Sequence, residues 1–128
     1  DPLGISAIRA GAIEVVNDTT LADVSCSVIS FSSLTLANQP KAVKRFLAAW
    51  DRATADLNAN PGQYKSLMLD KIRVPKNVSD DFVIPPYPRK TLPSRQQWED
   101  VMVWMLEKKL LLAPLAYEDS VTAEFLPQ

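Results

Sequence analysis

The chain has no histidine, one cysteine and three glycines among its 128 residues. Each shortage removes a class of chemistry. Without histidine there is no Ser-His or Cys-His catalytic pair, and most zinc sites lose a ligand. The lone Cys26 cannot close a disulfide within the chain and makes no metal cluster. It sits between Ser25 and Ser27 in a strand-like run, where a small buried apolar residue is a simpler reading than a nucleophile without a base. With so few glycines no phosphate-cradling loop occurs, neither G-x-G-x-x-G nor G-x-x-x-x-G-K. A field of one sign is missing too: 14 basic against 15 acidic residues give a net charge of −1. Nothing in that balance would hold nucleic acid or an anionic membrane. The densest basic patch, Lys41, Lys44, Arg45 and Arg52, falls on the polar side of a helix and reads as a solvated face. No segment approaches the ~18 unbroken apolar residues of a membrane span.

What is present suits a folded domain. The hydrophobic share of 47% and charged share of 23% are those of an average globular chain, and the length fits one domain of ordinary size. The opening Asp1-Pro2-Leu3-Gly4 has no initiator methionine. It suggests a processed product or a cut piece, so the lack of a visible signal peptide leaves the compartment open.

Hydrophobic spacing sets the expected elements. Asp1-Pro2 starts a helix with Ile5 and Ile8 on one face and Gly11 as its stop. Ile13, Val15 and Val16 form a short strand candidate, and Asn17 to Thr20 a turn. The best strand candidate is Val24 to Phe31: Val24, Cys26 and Val28 alternate with Ser25 and Ser27, and both faces then turn apolar, as in a covered α/β sheet. A short helical turn, Leu34 to Ala37, ends at Asn38-Gln39. Pro40 begins the strongest helix, with Val43, Phe46, Leu47, Trp50, Ala53 and Leu57 in one stripe. Asn60-Pro61 caps a shorter helix that buries Tyr64, Leu67 and Met68. Residues 77–82 admit one helical turn. From Val83 to Leu92 prolines forbid regular structure, and an extended stiff connector is expected. Ser94 and Gln97 make a capping box for the last long helix, whose stripe is Trp98, Val101, Met102, Met105 and Leu106. Lys108 and Lys109 suit its C-terminus. Phe125 and Leu126 pack down at the tail.

Little in this pattern carries chemistry. Glu99-Asp100 and Glu118-Asp119 are adjacent pairs that point apart, so neither converges for acid/base work. Trp98, Met102 and Met105 read as core, and Trp104 lies off their stripe, exposed or at an interface. Ser30, Ser32 and Ser33 follow a strand and precede a helical turn. Hydroxyls and backbone N–H groups so placed can hold an anion, and helix capping explains them equally well. They are the candidate ligand-binding residues; no catalytic, cofactor or metal residue is assigned.

The order of these pieces resembles a known family. Cys26-Ser27-Val28-Ile29-Ser30-Phe31, a helical turn, then Asn38-Gln39-Pro40-Lys41-Ala42-Val43 and a helix running to Asn58-Ala59-Asn60-Pro61 are similar to the solute-binding proteins of ABC importers, in the nitrate/sulfonate/taurine and thiamine-pyrimidine group. Upstream, Asp1-Pro2 and Gly11-Ala12 resemble the family's Glu-Pro … Gly-Ala segment, with Asp1 replacing the usual glutamate. Downstream, Tyr87-Pro88, Trp98 to Lys109 and Tyr117 to Pro127 resemble its last helices. The resemblance implies an α/β, helix-rich piece of a type II periplasmic-binding-protein fold with two or three strands of its own. Residues 1–23 would end the second lobe and hinge, and residues 24–128 would complete the first lobe.

A whole family member is two-lobed and about twice this length or more, and its lobes close on a small solute. The implied function is therefore capture of a sulfonate, nitrate or pyrimidine for a membrane permease, outside the cytoplasm and with or without a lipid anchor. No catalysis and no cofactor are implied. Two other readings stand beside it: the pyrimidine-forming enzyme of thiamine synthesis, which needs a histidine and a pyridoxal cofactor, or an unrelated helical interaction domain. Two or three strands leave sheet edges unpaired. The expected partner is thus the missing N-terminal part of the same protein or a swapped second copy.

Overall fold

A computed structural model describes residues 2–16 and 27–128. Helix α1 is Pro2–Arg9, α2 Ser33–Asn38, α3 Pro40–Ala59, α4 Pro61–Lys71, α5 Arg95–Glu107 and α6 Tyr117–Ser120, with a 3-10 turn at Lys76–Val78. No strand forms among the described residues, so the class is helix-rich. Of the expected strand at Val24 to Phe31, Val24, Ser25 and Cys26 lie outside the described residues. Residues 27–31 form neither helix nor strand. The same holds at Ile13, Val15 and Val16, which are 86%, 92% and 82% exposed. A strand exists only where a neighbour takes its backbone N–H and C=O groups. No such ladder is formed among the described residues.

Contacts divide the chain into two units. One comprises residues 1–17 and 52–89, the other 18–51 and 90–128. The expected domain boundary at 23/24 falls outside the described residues. In the first unit the core is Val78, fully buried, with Phe82 and Ile84. Thr54 is buried at the same end of the chain order, on the last turns of α3. Arg9 of α1 pairs with Asp81 at 2.5 Å and donates to the Asn77 carbonyl. Lys65 donates to the Asp80 carbonyl at 3.0 Å. In the second unit Val43, Met102 and Phe125 are buried. Lys44 lies 5.7 Å from the centre of the Phe125 ring.

The helix ends explain most element boundaries. At α5 the Ser94 hydroxyl accepts from the Gln97 N–H at 3.2 Å, and the Gln97 side chain accepts from the Ser94 N–H at 2.8 Å, the reciprocal box expected of those residues. Three helices close on the same C-terminal turn. After α1 the N–H of Gly11 bonds the Ile8 carbonyl and that of Ala12 the Ala7 carbonyl. After α4, Arg73 bonds Asp70 and Val74 bonds Leu69. After α5, Lys109 bonds Leu106 and Leu110 bonds Met105. This is the Schellman arrangement, and it puts one residue in the left-handed region: Gly11 at φ 97, Arg73 at 53 and Lys109 at 57. Asn60 departs from its expected role. It ends α3 through its N–H to the Asp56 carbonyl at 2.9 Å and makes no side-chain cap bond to α4. Its amide turns back to the Asp56 carboxylate at 2.9 Å.

Candidate functional site

The expected ligand residues come first. Ser32 is the N-cap of α2: its Oγ accepts from the Thr35 N–H at 3.2 Å and shares a hydrogen bond with the Thr35 hydroxyl at 2.9 Å. Ser33 opens the helix, and Ser30 lies exposed in the irregular run before it. The capping reading accounts for Ser32 in full. With six residues, α2 is too short to offer a strong dipole at its N-terminus.

A groove of about 320 Å³ lies instead along α5 and the start of α6. Trp98, Met102 and Leu106, spaced by four, form one wall because residues so spaced share a helix face. Leu115 and Tyr117 form the other. The Trp98 indole N–H donates to the Leu115 carbonyl at 3.1 Å, and the Tyr117 hydroxyl donates to the Pro93 carbonyl at 2.8 Å. The two rings meet edge to face, 6.5 Å between centres. Above them, Arg95 pairs with Glu118 and, at 3.9 Å, with Glu99, and its guanidinium lies 5.0 Å from the Tyr117 ring centre. The hydrogen bond from Arg95 holds the Glu118 carboxyl below its ordinary value, and Glu118 raises the Arg95 guanidinium in return. The Trp98, Tyr117 and Arg95 side chains thus spend bonds inside the protein, and the arrangement packs α6 against α5.

Arg95 and Tyr117 are absent from the sequence-based candidates. The Arg95/Glu99 spacing is a visible signal; the reach of Glu118 across 23 residues leaves none. The acidic neighbours part as expected: Glu99 faces Arg95, while Asp100 accepts from Gln96 at 2.8 Å. Among the described residues no group of three acidic, histidine or cysteine side chains could hold a metal.

Comparison with protein-family models, curated proteins and solved structures finds no match. Function must therefore be argued from the chain's own residues. Trp104 is 53% exposed on α5, as its place off the stripe implied. Phe31, Phe46 and Trp50 form an aromatic run, with centres 5.8 Å and 6.3 Å apart, yet Phe46 and Trp50 are 47% and 51% exposed. No helix among the described residues is long and apolar enough to cross a membrane.

Proposed function

We propose that this chain is the C-terminal portion of the solute-binding component of an ABC-type importer. The whole protein captures a small solute such as a sulfonate, nitrate or pyrimidine outside the cytoplasmic membrane and hands it to a permease, without catalysis. The order of residues shared with that family is the first support. The second is the state of the two segments that the type II fold would place in or beside a sheet. Residues 13–16 and 27–31 form neither helix nor strand and are rich in Ile, Val and Phe, and Ile13, Val15, Val16 and Val28 are more than half exposed. Apolar side chains so exposed call for neighbours to cover them. On this reading the neighbours belong to the N-terminal part of the same protein or to a swapped second copy.

Thermal unfolding of the intact protein with taurine, nitrate and an aminopyrimidine tests the reading. A solute at 100 times its Kd stabilises by about 2.7 kcal/mol, a rise of several degrees in Tm. No shift with any small anion or pyrimidine would count against solute capture. The helical interaction domain is favoured by one observation, the lack of a ladder among the described residues. Far-ultraviolet circular dichroism of the intact protein separates the two: a clear sheet component supports the importer reading, and a purely helical spectrum supports the other.

A further inference from the structure

The run Pro85-Pro86-Tyr87-Pro88 carries one backbone N–H, that of Tyr87, because proline has none. Asn58, near the end of α3, meets it. The Tyr87 N–H donates to Asn58 Oδ1 at 2.9 Å, and Asn58 Nδ2 donates to the Tyr87 carbonyl at 2.8 Å. These partners fix which way round the amide lies, since an N–H can only donate and a carbonyl can only accept. One carboxamide thus pairs with one residue as a neighbouring strand would. Pro85, Pro86 and Pro88 are exposed, and Tyr87 is 37% exposed. The apolar anchors of this stretch, Phe82 and Ile84, lie upstream of it.

We propose that Asn58 is a one-residue latch that ties the prolyl arch of residues 85–88 to the end of α3, and that the arch swings free as a stiff body when the amide donor is removed. Proline presets φ, so the arch has little internal freedom and moves as a unit. This inference is independent of the importer reading.

Hydrogen exchange of the intact protein tests it. Overlapping peptides that differ by residues 85–88 differ by a single backbone amide hydrogen, that of Tyr87. Asn58→Ala is expected to lower Tyr87 protection about 10- to 100-fold, the loss of two hydrogen bonds, and Asn58→Asp at pH 7 to lower it less, because the carboxylate still accepts from the Tyr87 N–H and loses only the donor to the Tyr87 carbonyl, with α4 unchanged. A protonated carboxyl has the same donor and acceptor poles as the amide. Asn58→Asp should therefore recover protection, relative to α4, once the pH falls below about 4. Unchanged protection in Asn58→Ala would overturn the latch, and so would an aspartate variant that stays unprotected in acid while α4 remains folded. Equal loss across α3, α4 and Tyr87 would also overturn it, because Asn58 would then support the helices and not the arch.

Discussion

Helices α5 and α1 both carry apolar residues at helical spacing, and both close on a Schellman turn, but only α5 holds a buried residue. Met102 of α5 is 8% exposed, and the helix is tied at three further points by Ser94, Trp98 and Tyr117. No residue of α1 is buried, Leu3 is 69% exposed, and the run that follows it is barer still. Amphipathic spacing states that a helix has a face to bury; it does not say what buries it. Around α5 the covering material is local, within about twenty residues of chain. α1 meets the 3-10 turn and leaves Ile5 and Ser6 half-buried, while Ile13, Val15 and Val16 stay open to water.

The contrast can be tested most severely in the core. Met102→Ala is expected to cost about 2–5 kcal/mol, read from urea midpoints, whereas Leu3→Ala should stay within about 0.5 kcal/mol. A large loss at Leu3 would mean that α1 is covered after all. Next in size is the cap: Ser94→Ala should cost about 1 kcal/mol. The shared C-terminal turn gives a finer comparison. Gly11→Ala should destabilise by about 1 kcal/mol, while Arg73→Gly and Lys109→Gly should each stabilise by about 0.5 kcal/mol, since they relieve a left-handed residue at some entropic cost in the unfolded chain.

The smallest effect is one of pH. Hydrogen bonds from Tyr64 and Asn60 lower the Asp56 carboxyl, and the bond to Asp56 raises the Tyr64 hydroxyl. The depressed carboxyl contributes stability above the ordinary carboxylate range and loses it as pH falls through its folded value. The raised hydroxyl contributes below the ordinary tyrosine range, about pH 10, and loses it as pH rises through its own. Tyr64→Phe should thus remove the Tyr64 contribution to the loss of stability at alkaline pH, followed by tyrosinate absorbance and chemical denaturation at each pH.

Where chemistry is local, the residues announce the structure. Ser94 with Gln97, Pro2 with Gly11, and the prolines after Ile84 all have short-range mechanisms, and each marks the expected feature. Arg73 and Lys109 occupy the same turn as Gly11 and give no such sign, because the cost of a left-handed residue is small enough for other contacts to carry. The α3 stripe was legible in part. Val43 is buried, but the second buried position is Thr54, eleven residues on and about 20° around the helix, where a hydroxyl hid it from a count of apolar residues. Phe46 and Trp50 belong to the stripe and stay half exposed. The groove along α5 was the least visible feature, since Arg95, Tyr117 and Glu118 meet only after the chain bends at Leu112 and Ala113.

Arg9 has a consequence of a different kind. The residue joins α1 to Asp81 and Asn77, and both partners of its ion pair are nearly half open to water. An attachment of that sort is screened by added salt over a length of about 8 Å at physiological strength. The first helix should therefore respond to sodium chloride before it responds to heat, loosening its hold on the 3-10 turn in brine.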